Sequence, residues 1–191
     1  MKDGGRLAAA IEILDDVDTH RRPVQESLKD WGRRHRFAGS GDRLVIANLV
    51  FDALRKRLSL AHVMGSSSAR ALVLATYARS WGFGAEGMAA VLQDDRFAPE
   101  PLEADEVALL EKPLDVDAPD HVRADVPLWL WPHFEEAFAE DAVEEGAALA
   151  ARAPIDMRVN LLKGDRERLH KRLAHLGVMD TPISPVGLRL P

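Results

Sequence analysis

Apolar residues recur every three or four positions through most of the chain, a spacing that predicts a mainly helical protein. The first predicted helix covers residues 6–17. Pro23 suits the first turn of a second helix. An amide in the first turn donates no hydrogen bond within the helix, so proline, which has no amide hydrogen, loses nothing there. The run 42–58 is apolar around most of its circumference, which predicts a central buried helix that Ser40 or Asp42 would cap.

A further helical stretch follows a segment punctuated by prolines. Residues 113–127 are predicted to form an extended connector. Pro132 then begins a helix rich in aromatic residues. We expect these aromatics to dock onto the helical core rather than to stack on bases, because the surrounding acidic residues would repel phosphate. They are Trp129, Trp131, Phe134 and Phe138.

The periodicity changes in the last part of the chain. Apolar and polar positions alternate in residues 156–162, which predicts a strand. Asp165 would cap a helix that ends at Gly177, and residues 186–190 alternate again. Because two strands do not form an independently stable sheet, these residues are expected to begin a domain whose remainder is missing.

The predicted fold class is therefore mainly α. A chain of 191 residues can bury one core and a smaller appended unit. We predict a helical bundle over residues 1–150, which includes the connector at 113–127. An incomplete β-α-β unit follows over residues 151–191.

One motif could indicate a cofactor. Residues 82–87 have the spacing G-x-G-x-x-G, which cradles a pyrophosphate only directly after a buried strand and before a helix. The preceding residues 69–80 have helical periodicity, and Pro99 and Pro101 forbid the second core strand that such a fold needs. The motif is therefore predicted to be a joint between two helices, with no cofactor bound there.

The composition excludes several kinds of chemistry. The chain has no cysteine, so disulfides, thiolate metal sites and a cysteine nucleophile are excluded within it. Its seven histidines include no pair three or four residues apart, and we predict no metal site and no catalytic site. Because the chain has neither an apolar run of about 18 residues nor a signal peptide, we expect a cytoplasmic protein with no membrane partner.

Charge is distributed unevenly along the chain. Residues 1–70 hold 13 basic and 9 acidic residues, and residues 71–191 hold 12 and 22. The basic residues of the first three helices indicate a partner with negative charge, such as RNA, although an ordinary solvated surface remains an alternative. Candidate RNA contacts in this set are Arg21, Arg22, Arg33, Arg34, Arg36, Arg43, Arg55 and Arg57. A second basic set lies in the terminal strand and helix and consists of Arg158, Lys163, Arg166, Arg168, Lys171 and Arg172.

Two stretches of the chain resemble a known family. Residues 37–57, FAGSGDRLVIANLVFDALRKR, resemble the signature helix of the NusB-like domain that begins the Sun or Fmu family of ribosomal RNA cytosine-5 methyltransferases. Residues 117–138 and 153–178 are similar to that family's passage into its methyltransferase part. The family pattern P-x-x-x-R-V-N-x-x-K is matched by Pro154, Arg158, Val159, Asn160 and Lys163.

The resemblance implies a NusB-like helical RNA-binding bundle that leads into a small α/β subdomain. In the family this subdomain helps to present RNA to a catalytic domain that binds S-adenosylmethionine and uses cysteines. This chain lacks those cysteines, so its expected partners are ribosomal RNA and its own missing C-terminal catalytic domain. Arg158 and Asn160 lie on one side of their predicted strand and would either contact RNA or support that domain.

The parent protein would therefore be an enzyme, whereas these 191 residues would have neither activity nor cofactor by themselves. Two alternatives remain open. One is a freestanding NusB-like RNA-binding module that acts with a protein partner. The other is a helical protein-interaction module that uses its acidic face.

Overall fold

The computed structural model describes residues 1–112 and 118–190. It divides into two compact units, Met1–Ala151 and Arg152–Pro191. The first unit is built from helices and the second contains a small sheet, so the predicted mainly α fold class is confirmed.

Ten α-helices, a π-helical turn (Thr76–Ser80) and a 3₁₀ turn (Ala139–Asp141) are present in the described part of the first unit. The two predicted N-terminal helices are present, whereas the predicted helix 42–58 is divided at Lys56 between two helices. The ten α-helices are α1 (Asp3–His20), α2 (Val24–Arg34), α3 (Ser40–Arg55), α4 (Arg57–Met64), α5 (Ala69–Ala75), α6 (Gly84–Asp94), α7 (Ala104–Glu111), α8 (Asp120–Arg123), α9 (Trp131–Phe138) and α10 (Ala142–Ala150).

The centre of the main core is α5 and not the predicted central helix α3. Residues 71–78 of α5 and of the π-helical turn that continues it are all buried. In contrast, Leu44 of α3 is exposed. The helix α3 contacts α1, α4 and α5, but these neighbours do not cover its whole circumference.

The start of α3 is fixed by an aspartate in its first turn. Asp42 accepts a hydrogen bond from the amide of Gly39 at 3.3 Å, whereas Ser40 is already helical. The same carboxylate accepts Arg6 Nη2 at 2.7 Å and the Met1 ammonium at 3.0 Å. The hydrogen bond from Arg6 is the main reason that the pKa of Asp42 falls to about 2.

The glycine motif joins two helices, as predicted. Gly82 and Gly84 have φ values of 79° and 70°, which a residue with a side chain adopts only with strain. A helical segment ends at Ser80 and α6 begins at Gly84. The glycines therefore reverse the chain between helices.

The connector and the aromatic segment differ from the prediction. Residues 113–117 lie outside the described part of the chain, and residues 120–123 form the helical turn α8 within the predicted extended connector. Trp131 is buried in a small cluster of its own, with Ala124, Val126 and Ala142, instead of docking onto the main core. Trp129 is 76% exposed.

The second unit has three strands where two were predicted. They are β1 (Ile155–Arg158), β2 (Met179–Asp180) and β3 (Gly187–Leu190), and the antiparallel sheet has the order β1-β3-β2. Met157 pairs with Leu188, and Met179 pairs with Arg189. Because β2 has only two residues, no alternation marks it in the sequence.

A helix lies between β1 and β2 and contributes to the core of this unit. It is α11 (Arg166–Leu173), whose first turn is capped by Asp165 as predicted, with Oδ1 accepting the Arg168 amide at 2.8 Å. Leu188 of β3 is fully buried, and Leu169 of α11 packs into the same cluster.

Candidate nucleic-acid interface

A groove between α2 and α3 gathers four cations. Lys29 and Arg33 lie four residues apart, so one face of α2 carries both. Arg36 follows in the turn after α2, and Arg43 comes from α3. The groove has a volume of about 490 Å³, and none of the described residues that line it is acidic.

Arg43 shapes the groove rather than offering a free charge. Its Nη2 donates to the carbonyl oxygen of Gly32 at 2.9 Å, and its Nε donates to that of Ala38 at 3.0 Å. These bonds tie α3 to the end of α2. Among the described residues, Lys29 and Arg36 have no ion-pair or hydrogen-bond partner, so their charges face solvent.

Arg33 is partly balanced by one neighbouring acid. Its Nη1 lies 3.2 Å from Oδ1 of Asp30, and Arg22 Nη2 contacts the other oxygen of the same carboxylate. The hydrogen bond from Arg22 lowers the pKa of Asp30, so this carboxylate remains charged at neutral pH.

Most of the other predicted arginines are paired outside the groove. Arg34 lies 3.6 Å from Glu12, Arg55 lies 2.7 Å from Asp52, and both ends of the Arg57 guanidinium donate to Asp18 at 2.8 Å. Arg21 follows the end of α1 in a left-handed conformation and does not line the groove. The structure thus brings together Arg33, Arg36 and Arg43 of the predicted set, with Lys29.

The second unit has a smaller basic site. Lys163, Arg168 and Arg172 line it together with Asn160 and Asp165, and its volume is about 280 Å³. The Asp165 carboxylate caps the helix by accepting the amide of Arg168. Its single negative charge offsets only part of the positive charge of the three cations. Sequence reasoning included Arg168 and Arg172 in the basic set but did not predict that they join Lys163.

Arg158 and Asn160 do not share a strand face, which corrects the prediction. The strand β1 ends at Arg158, and the Asn160 side chain accepts the Leu162 amide at 3.0 Å within a turn. Arg158 instead lines a groove with Asp156 and Arg189, which bind each other through two hydrogen bonds of 2.6 and 2.7 Å. The assigned strand pairing ends at Arg158 and Gly187, and beyond it the Val159 amide donates one further hydrogen bond to the Val186 carbonyl oxygen at 2.9 Å.

The last third of the chain matches a family model. Residues 126–191 match the model described as Methyltr_RsmF/B-like, ferredoxin-like domain. The resemblance to this methyltransferase family is confirmed. The matched RsmF/B-like segment includes α9, α10 and the whole three-stranded sheet.

The fold of the chain is also similar to a solved structure. The match to "Crystal Structure of PH0851" covers 98% of this chain and 48% of that chain, with a TM-score of 0.51 and 14% sequence identity. At this identity the likeness shows the fold alone. The chain spans about half the length of the solved protein that it matches. No curated protein sequence is significantly similar to the chain described here.

The glycine motif of residues 82–87 does not have the setting of a cofactor-binding loop. The G-x-G-x-x-G spacing lies between two helices, so it does not provide the turn between strand and helix that binds the cofactor in a Rossmann fold. Within residues 1–112 and 118–190, no group of three metal-ligating side chains is present. No helix in these ranges is long and apolar enough to cross a membrane.

Proposed function

We propose that this chain is the RNA-binding and targeting part of an S-adenosylmethionine-dependent methyltransferase that modifies a cytosine of small-subunit ribosomal RNA at carbon 5. The match of residues 126–191 to the RsmF/B-like model supports the kind of parent enzyme. The basic groove between α2 and α3 is the observation that carries the RNA-binding role.

The groove acts on the RNA backbone rather than on the reacting base. Lys29, Arg33 and Arg36 each neutralise a phosphate and release counterions, which makes binding sensitive to salt. Such contacts orient the RNA without reading its sequence. The first unit is thus the NusB-like RNA-binding domain of the parent enzyme.

The second unit adds a weaker contact. Lys163, Arg168 and Arg172 bind a further stretch of the backbone and help to present the RNA to the catalytic domain. That domain supplies the bound methyl donor and the cysteine nucleophile, since the 191 residues contain no cysteine. Targeting and chemistry therefore belong to different parts of the parent protein.

Alanine substitutions in the groove test the RNA-binding role. We expect Lys29→Ala, Arg33→Ala and Arg36→Ala together to weaken binding of a ribosomal RNA fragment by about tenfold or more. The slope of log affinity against log salt concentration should flatten by about 2, because three phosphate contacts are lost. Fluorescence anisotropy between about 50 and 200 mM salt measures both quantities.

The matched control removes three cations of the first unit that do not line the groove. It combines Arg21→Ala, Lys112→Ala and Arg123→Ala, which changes the net charge equally. The control should keep most of its affinity. Equal losses in the two triple variants would contradict a specific groove and indicate nonspecific attraction.

The mass of the native protein tests the assignment to a larger enzyme. An antibody raised against this chain should detect a band at roughly twice its 21.1 kDa if a domain-sized segment is joined to it. A band at 21.1 kDa would favour the freestanding RNA-binding module.

A further inference from the structure

Two turns with the same sequence face one cavity. Residues 36–38 and 96–98 both read Arg-Phe-Ala and follow shortly after α2 and α6. In each turn the alanine amide donates to the carbonyl oxygen three residues earlier, at 3.1 and 2.8 Å. The chain thus delivers a phenylalanine side chain to the cavity twice.

The cavity between these turns is large, and aromatic side chains form part of its wall. Its volume is about 790 Å³, within the range of sites that bind small ligands. Phe37 and Phe97 line it and are 71% and 63% exposed. Trp31 and His35 form the adjoining wall.

The turn that carries Phe97 is held firmly against α1. The Gly5 amide donates to Asp95 Oδ2 at 2.7 Å, and the Phe97 amide donates to Asp95 Oδ1 at 3.0 Å. A Cβ atom at Gly4 would lie 2.7 Å from the Cβ atoms of Asp95 and Ala98, so only glycine permits this approach. The backbone that carries Phe97 is therefore positioned before any ligand arrives.

The turn that carries Phe37 is positioned by stacked rings. The His35 ring stacks on Trp31 with centroids 4.3 Å apart, and its Nδ1 is 2.9 Å from the Trp31 carbonyl oxygen. Phe37 meets the His35 ring edge-on at 5.7 Å. Trp31 is itself fixed by Glu12, whose carboxylate accepts Nε1 at 2.9 Å.

The acidic groups of the wall already have partners. Asp94 binds Lys2 at 2.8 Å, and Glu12 binds Trp31 and Arg34. What the cavity offers to a ligand is exposed aromatic surface. Arg96 adds a cation at the rim, with its guanidinium 4.5 Å from the Phe97 ring centroid.

The cavity and the basic groove are lined by neighbouring residues of α2 and of the turn that follows it. Trp31 lines both of them. The consecutive residues Arg36 and Phe37 divide between them, since Arg36 lines the groove and Phe37 lines the cavity. Phosphate-binding and ring-stacking surfaces that meet at one turn match the alternation of phosphate and base along a single strand.

We infer that this cavity binds an unstacked nucleobase of single-stranded RNA against Phe37 and Phe97, while phosphates of the same strand lie in the α2–α3 groove. This inference rests on the proposed RNA-binding function and specifies single-stranded RNA as its ligand. Stacking tolerates any base, because every base presents an aromatic face.

An abasic oligonucleotide separates stacking from phosphate binding. The intact 191-residue chain is titrated with a single-stranded RNA and with one of the same length whose central residues lack bases. We expect the abasic RNA to bind at least about fivefold more weakly, the lower end of what one stacked base contributes. The double variant Phe37→Ala with Phe97→Ala should bind both RNAs with the same, weaker affinity.

Three further variants test whether the preference for bases depends on aromatic rings at these two positions. Trp129→Ala removes an equally exposed aromatic residue that does not line the cavity, and it should keep the preference for bases. Phe37→Trp with Phe97→Trp should also keep it. Phe37→Leu with Phe97→Leu should not, although it preserves an apolar surface that a protein side chain could occupy.

The possible outcomes distinguish this inference from the proposed function. If the wild-type chain binds both RNAs equally and in a salt-dependent manner, the base site is wrong and the groove stands. A base preference that persists in the double alanine variant likewise overturns the base site. If neither RNA binds, the proposed function fails as well. Should the double variant not fold, the wild-type comparison still decides.

Discussion

Two cations of the α2–α3 groove differ from several arginines elsewhere in the first unit in what surrounds them. In the groove, Lys29 and Arg36 have no partner among the described residues. Elsewhere Arg6, Arg55 and Arg57 each donate to an aspartate at 2.7 or 2.8 Å. Similar charges in the sequence thus serve two different purposes.

Two of these paired arginines join parts of the fold that are distant in sequence. Arg57 and Asp18 are 39 residues apart and connect α4 to α1, and Arg6 and Asp42 connect α1 to α3. A pair whose charges already neutralise each other attracts RNA weakly. The number of basic residues therefore indicates less about an RNA-binding surface than the number that lack an acidic neighbour.

Charge reversal in the groove should change the RNA affinity more than any other variant considered below. Lys29→Glu with Arg36→Glu replaces two attractions with two repulsions, so we expect RNA affinity to fall by about 30-fold or more at low salt. Thermal unfolding should change little, because neither side chain has a partner in the described structure.

The control for this reversal is Arg21→Glu with Lys112→Glu, which changes the same net charge outside the groove. It should weaken binding by no more than a few fold through the general field of the protein. A loss as large as that of the groove variant would show that position does not matter.

Local signals in the sequence predicted the helices well. The first two helices, the glycine joint and the Asp165 cap all depend on residues within a few positions of each other. The central role of α5 was missed because it depends on which helices surround it. Strand β2 was missed because two residues cannot show alternation.

The site was predicted only in part, for a related reason. The sequence shows which residues are basic but not that Arg34 and Arg57 meet acids on α1. The repeated Arg-Phe-Ala is visible in the sequence at residues 36–38 and 96–98. The sequence does not show that the phenylalanines of the two copies line the same cavity.

Asp42 represents the paired class, and removing its charge should reduce stability in a pH-dependent way. Its folded pKa of about 2 is below the ordinary value, so its contribution is present above about pH 4 and is lost as pH falls towards 2. Asp42→Asn should unfold at a lower temperature than wild type at pH 7, and the two proteins should converge near pH 2. Thermal melts followed by circular dichroism measure the difference, and a constant gap over this range would contradict the mechanism.

The smallest expected effect comes from removing one acid beside the groove. Asp30→Asn removes the carboxylate that Arg33 and Arg22 share, so the groove becomes more positive and RNA affinity should rise about twofold to threefold. Asp18→Asn frees Arg57 in the same way, but Arg57 does not line the groove, and affinity should stay constant. Because both variants add one unit of net positive charge, only position distinguishes them. Equal gains would mean that freeing any arginine attracts RNA, and the contrast between groove cations and paired arginines would then lose its functional meaning.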